Sequence, residues 1–214
     1  VNETVKVDIW SDIACPWCFL GKRRFETAAA QFAASGGTVE VELHSFELAP
    51  DTPVDFEGSE IDFLVRHKGM DAGQVEQMLA RMTDLGAAEG LAYDFAALQH
   101  TNTIKAHELL HFAKGRGRQL EMAERLFTAY FEEGRHVGRV DDLADLAAEI
   151  GLDREEALEA LKNEELLPAV HADQAQATAY GINGVPFFVI DGRLGVSGAQ
   201  DPAVFLEVLH KARA

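Results

Sequence analysis

The chain is poor in cysteine, in positive charge and in long apolar runs. Its 214 residues hold two Cys and six Pro, with 19 Lys plus Arg set against 36 Asp plus Glu. Two cysteines exclude the multi-disulfide framework of small secreted domains. A formal net charge of -17 repels phosphate backbones and anionic lipid, which argues against nucleic-acid and membrane-surface partners. No segment is long and apolar enough for a bilayer span, and a 47% hydrophobic content points to a soluble globular chain with a sizeable core. The start, "VNETVKVDIW", lacks the basic stretch, apolar run and cleavage site of a secretory signal, so a cytoplasmic location is expected. It also begins without Met, which leaves a trimmed N-terminal segment open.

What is present reads as strand, helix, strand. "VKVDIW" is β-rich and mostly apolar and predicts a buried strand ending near Trp10. Phe19, Leu20, Phe25, Ala28, Ala29 and Phe32 recur at helical spacing, predicting a helix from about Cys15 to Ala34, stopped by Gly36 and Gly37. "TVEVELHSFEL" alternates Val39, Val41 and Leu43 with Glu40, Glu42 and His44, a second strand. Such a β-α-β unit is expected to be right-handed with parallel strands. After the turn-rich "APDTPVDFEGSE", the pattern from about Ser59 to Ala179 is helical, with Asp153 capping "DREEALEALKN". "GVPFFVIDGRLGVSG" then gives two apolar runs joined at Asp191-Gly192-Arg193, a hairpin signal. "DPAVFLEVLHKA" closes the chain as a helix with Asp201 as cap and Pro202 in its first position.

Both cysteines fall in "SDIACPWCFLGKRRF", just after the first strand and at the start of the first helix. Pro16 suits the first helical turn, where a missing N–H matters least. Unpaired backbone N–H groups and the helix dipole there stabilise a thiolate at Cys15, and Cys18 shares the same face. One sulfur can attack a partner disulfide and the other can resolve the mixed disulfide. The alternatives are half of a zinc site, for which no second Cys pair exists, and a structural disulfide, which would close a very short loop. Pro186 in "GVPFF" removes one ladder N–H at a strand entry. A cis Val185–Pro186 bond would leave the Val185 backbone free to pair with an extended substrate, although the sequence alone does not choose cis.

The β-α-β start with "CPWC", the helical stretch and the "GVPFFVIDG" return resemble the DsbA-type branch of the thioredoxin superfamily. More narrowly, "DIWSDIACPWCFLGKRRF", "FEL", "NTIKAH" and "GVPFFVIDGRLGVSGAQ" resemble the FrnE-like group, associated with frenolicin or polyketide biosynthesis. The resemblance implies an α/β thioredoxin fold, a mixed sheet flanked by helices, with residues 1–54 and 166–214 forming that domain and residues 55–165 a large all-α insertion. It implies a thiol–disulfide oxidoreductase with Cys15 attacking, Cys18 resolving and Pro186 as a cis-proline beside them. It implies no bound cofactor beyond the Cys15–Cys18 couple, with glutathione as a candidate redox partner. Substrates would be protein or small-molecule thiols and disulfides, recycled by an unspecified reductant or oxidant. Best-known periplasmic members carry His between the cysteines where this chain has Trp17, so their oxidising strength is not carried over. Trp17 is expected instead to offer a partner an apolar contact surface.

Two rivals compete with this reading. "HELLH" places His107 and His111 on one helix face with Glu108 as a potential general base, the zinc-peptidase spacing. The extended motif fails at Lys114 and Gly117, leaving Glu132 or Glu133 as a third ligand; helical packing is the preferred reading, with no metal. The chain is also similar to kappa-class glutathione transferases and 2-hydroxychromene-2-carboxylate isomerases, which insert helices into the same fold. Those typically place Ser where Cys15 stands and lack the second Cys, so the pair favours disulfide exchange. Asn102, Thr103 and His107 are carried as weak substrate-groove candidates against a cap and packing role. Asp12 is a candidate for tuning the pair, against hydrogen bonding the turn at the strand end, and Asp8 shares the ambiguity.

Overall fold

The first strand, expected to be buried and to end near Trp10, runs to Ser11 and is buried on one face at its start and throughout from Ile9, and the rest of the sheet is built around it. The computed structural model describes residues 4–214. In chain order the elements begin with β1 (Thr4–Ser11), α1 (Pro16–Ala34) and β2 (Thr38–Ser45). Seven helices follow among the described residues: α2 (Glu60–Lys68), α3 (Ala72–Ala88), α4 (Ile104–Lys114), α5 (Gln119–Phe131), α6 (Val140–Glu149), α7 (Arg154–Lys162) and α8 (Leu167–Ala179). The chain ends with β3 (Phe187–Ile190), β4 (Leu194–Ser197) and α9 (Pro202–Arg213). Two units result, one from the residues up to Leu48 together with Pro168–Ala214, the other Ala49–Leu167. The first three residues of the expected sheet-bearing unit lie outside the described residues.

In the sheet-bearing unit the strand order is β2-β1-β3-β4, with β1 parallel to β2 and antiparallel to β3, and β4 antiparallel to β3. Val5, Val7 and Ile9 share one face of β1 and are almost fully buried. A one-residue slip would turn all three to the opposite face, so the apolar set fixes the register. Ile9 pairs with Phe188, placing both on the same face. There Phe188 meets Phe205 of α9 at 4.5 Å between ring centroids and Phe25 of α1 at 5.5 Å. The opposite face buries Trp10 with Ala177, Ile182 and Val189, and Phe46, Val185 and Phe187 pack against them.

The expected hairpin closes at Asp191 and Gly192, whose φ values of 55° and 64° are both left-handed. Arg193 N–H donates to the Ile190 carbonyl across it at 3.2 Å. Asp153 caps α7 by accepting from the Glu156 amide. Asp201 occupies the cap position of α9 without a side-chain cap bond, so the start of α9 rests on Pro202 rather than on the expected Asp cap. In Ala49–Leu167 the helix α4 is the most enclosed, packed against α5, α6 and α7 with Ala106, Leu109 and Ala113 fully buried. No described helix is long and apolar enough to cross a membrane.

Phe188 is fully buried between two other rings. Phe188→Ala is expected to lower the unfolding free energy by about 3–5 kcal/mol. Urea unfolding would show this as a lower midpoint at an unchanged slope. A loss below about 1 kcal/mol would mean the site can collapse and the three rings do not hold that face.

Candidate active site

Past Ser11 the chain leaves the sheet in a turn closed by the Cys15 amide, which donates to the Asp12 carbonyl at 3.1 Å. Cys15 is the N-cap of α1, with extended backbone at φ -96° and ψ 112°. Pro16 follows in the first turn, where its missing N–H breaks no intrahelical bond. One turn on, the amides of Cys18 and Phe19 both donate to the Cys15 carbonyl. Cys15 and Cys18 are 4% and 2% exposed and are free thiols. In this dithiol form Cys15 makes no capping bond to the first turn; its Sγ instead donates to the Val185 carbonyl at 3.7 Å. The expected helix-end contact at Cys15 is therefore replaced by a thiol–carbonyl contact across the site.

Val185 precedes Pro186 through a cis peptide bond, and the buried Pro186 accepts from the Gly198 amide at 2.9 Å. Its ring rests against α1 at a residue that sequence reasoning passed over. A Cβ on Gly21 would stand 3.0 Å from Pro186 Cγ and 3.3 Å from Ala199 Cβ. The signal was available: glycine in a helix interior is destabilising by roughly 0.5–1 kcal/mol relative to Ala, so one there calls for a close approach. Thus α1 carries both cysteines and the seat of the proline.

The two thiols are unequal. Burial pushes the Cys18 thiol well above its ordinary range, and its hydrogen bond to Cys15 and the charge there push the same way. The Asp12 backbone and the Ser11 side chain oppose this without overcoming it. Cys18 is consequently held as the neutral thiol at neutral pH. Trp17, between them in sequence, is 40% exposed, while Pro16 and Val185 are half-buried. Asp12 is 1% exposed, and its carboxylate accepts from the amides of Leu48 at 2.8 Å and Ala14 at 3.4 Å. That is the turn-holding arrangement. Asp8, deeper in β1, accepts from His44 at 2.7 Å.

Asn102, Thr103 and His107 lie in Ala49–Leu167. The Asn102 amide donates to the carbonyls of Pro50 and Thr52, and its oxygen accepts from the Ile104 amide. Its side-chain amide is thus bonded to backbone at the start of α4, the cap-like arrangement weighed against the groove role. Thr103 is the N-cap of α4 without a side-chain cap bond. His107, Glu108 and His111 are 1%, 0% and 8% exposed, with Lys105 Nζ 2.9 Å from Glu108. The proposed third ligands are engaged elsewhere, Glu132 by the Ala92 amide and Glu133 by Arg125. Among the described residues no set of three donor atoms converges at "HELLH"; the set that does, Asp8, Glu42 and His44, is an ion-pair cluster in which both His44 nitrogens are bonded to carboxylates and Lys6 pairs with Asp8 and Glu42.

A DSBA-like thioredoxin domain family model matches residues 6–210. The chain is 31% identical over 206 residues to the uncharacterized protein YwbO of Bacillus subtilis (strain 168), covering 94% of each. A crystal structure described as a "probable DsbA oxidoreductase" from Streptomyces coelicolor superposes with a TM-score of 0.90 at 40% identity, over 98% of this chain and 90% of that one. A 2-hydroxychromene-2-carboxylate isomerase structure gives a TM-score of 0.73 at 15% identity, over 97% and 95%, a likeness of fold alone.

Gly21→Ala tests the seat of the proline. Helix propensity alone would favour Ala by up to about 1 kcal/mol. The added methyl is expected to displace Pro186 and Val185, and so to change the rate at which Cys15 reacts with a small aromatic disulfide while the protein stays folded. A wild-type rate in a folded variant would separate Pro186 packing from thiol reactivity.

Proposed function

The chain belongs to the DSBA-like thioredoxin domain family, a thioredoxin fold with a helical insertion, and from that premise we propose that it is a thiol–disulfide oxidoreductase acting through Cys15 and Cys18. The observation that carries this reading is the inequality of the two sulfurs. Cys15 heads α1 and faces Val185 beside an exposed Trp17, while Cys18, one turn below and as buried as Cys15, has its thiol pushed up by that burial and by the neighbouring Cys15. Cys15, as thiolate, attacks one sulfur of a partner disulfide. The partner's S–S bond breaks, a mixed disulfide forms at Cys15, and the departing thiolate takes up a proton. Cys18 then loses its proton and attacks the Cys15 sulfur, forming the Cys15–Cys18 disulfide and releasing the second partner thiol. Two electrons pass from the protein dithiol to the partner, and the same steps reversed oxidise a partner dithiol.

A raised Cys18 keeps the resolving thiol silent until the mixed disulfide stands above it, which orders the two attacks. Partners are protein or small-molecule thiols and disulfides, with glutathione as a candidate for recycling. Within the family the quoted motifs favour the FrnE-like group. The isomerase alternative draws on shared fold only, whereas a second thiol one turn from the first supports exchange.

Insulin reduction in the presence of dithiothreitol tests the proposal. The wild-type protein is expected to hasten precipitation of the insulin chains, and Cys15→Ser to abolish the effect. Cys18→Ser, reduced and then mixed with insulin after the dithiothreitol is removed, should retain attack without resolution and accumulate a mixed disulfide, seen as a heavier band on a non-reducing gel. An inactive wild type, or an unimpaired Cys15→Ser, would overturn the proposal.

A further inference from the structure

On the face of the sheet that carries Trp10, three side chains from three elements form a hydrogen-bonded chain. His44 Nε2 stands 2.7 Å from Asp8 Oδ1, and His44 Nδ1 stands 2.8 Å from Asp173 Oδ1. With both carboxylates ionised, each can only accept, so both ring nitrogens donate and the ring is an imidazolium. The Trp10 indole stacks on it, with centroids 4.4 Å apart and planes 18° from parallel, so the ring's charge lies over the indole's π face. Trp10 Nε1 donates to the Asp173 carbonyl at 3.0 Å, and the second carboxylate oxygen of Asp173 accepts from the Ser45 amide at 2.8 Å. The other charged groups alongside are Lys6 on β1 and Glu42 on β2, with Lys6 Nζ 3.7 Å from Asp8 and 3.4 Å from Glu42. Burial alone would lower the His44 pKa; the hydrogen bonds and charges of Asp173 and Asp8 outweigh it and hold the ring above the ordinary histidine range.

This chain reaches both walls of the thiol site. Trp10 packs in the same cluster as Val185 and Phe187, and the Val185 carbonyl is the acceptor for Cys15. Beyond Ser45, the Phe46 amide donates to the Ser11 carbonyl, and the Leu48 amide to Asp12 in the turn that leads to Cys15. Building on the disulfide-exchange reading, we propose that His44 is a positioning residue of the thiol site: clamped between Asp8 and Asp173, it holds Trp10 against the Val185 segment and so sets how the Val185 carbonyl meets Cys15. Loss of the ring proton leaves one carboxylate facing a lone pair, which opens the clamp and frees Trp10 and Val185 together. The reactivity of Cys15 therefore follows the ionisation of a residue that does not touch it.

The test uses the Cys18→Ser protein, in which Cys15 is the one thiol, and reads alkylation by iodoacetamide from weakly acidic to alkaline pH beside the His44 ring resonances. Two inflections are expected in the rate profile, one for the thiol and one at the midpoint of the His44 titration. His44→Gln should lose the second. Asp173→Asn should move both the ring midpoint and that inflection to lower pH, since one charge holding the proton is gone. Asp8→Asn, at the more open end of the clamp, should do the same and serves if Asp173→Asn fails to fold. A purely structural clamp behaves differently. With the folded pKa raised, its stabilisation is full below the unfolded histidine pKa and is lost as pH rises through the folded one. Urea stability would then fall over that window while the alkylation profile kept a single inflection, and that result would overturn the proposal. A second inflection surviving in His44→Gln would do so as well. Alkylation needs no partner disulfide, so an absence of insulin reduction and a failure here are separate results.

Discussion

Asp12 is almost wholly buried, and its carboxylate accepts from the amides of Leu48 and Ala14 while its carbonyl accepts from the amide of Cys15. A buried carboxylate is tolerated only where donors replace its water, so the turn between β1 and α1 has little freedom to vary. Everything above it inherits that geometry. The turn fixes where α1 begins, hence which residue is the N-cap, hence which of the two sulfurs faces Val185 and which lies one turn below. A chain ending β1 a residue earlier would put Cys15 inside the helix and take away the difference between the thiols.

That difference underlies the disulfide exchange proposed for the chain. Two thiols with equal surroundings would compete for the same partner, whereas here burial holds Cys18 protonated and the carbonyl of Val185 engages Cys15. Gly21 belongs to the same logic. It is the point on α1 where Pro186 and Ala199 come so close that a methyl group would have to push them aside. One helix therefore positions Cys15, Cys18 and Pro186, so a small rotation of α1 would move all three together.

The elements themselves were legible because their signals are local. Alternation in "TVEVELHS" and the Asp191-Gly192 turn both describe a few adjacent residues, and the structure follows them closely. The cysteine pair was legible for the same reason, one strand end and one helix start apart. His44 was not. In sequence it is one polar position in an alternating strand, and nothing near it announces Asp8 and Asp173, which reach it only after the sheet and α8 are in place. "HELLH" shows the opposite failure: its spacing puts two histidines on one helix face but says nothing of what surrounds that face, and α4 is an enclosed helix. Asn102 follows the same rule, since its amide is consumed by backbone carbonyls some fifty positions earlier in the chain.

The unit that carries the site is assembled from the two ends of the chain, and its own hydrogen bonds account for how a long segment can intervene. The chain departs after Leu48 and returns at Pro168. On the departing side the Ser45 amide and the Glu47 carboxylate are bonded to Asp173 and Gln174 on the returning side, both at 2.8 Å. Closing a loop becomes costlier only as the logarithm of its length, so once the ends are tied the intervening segment can be long at little further expense. The same tie runs through Asp173, whose other oxygen holds His44 and whose carbonyl holds Trp10. A break at Asp173 would therefore loosen the junction of the insertion and the wall of the thiol site at once, which gives the residue two reasons to be where it is.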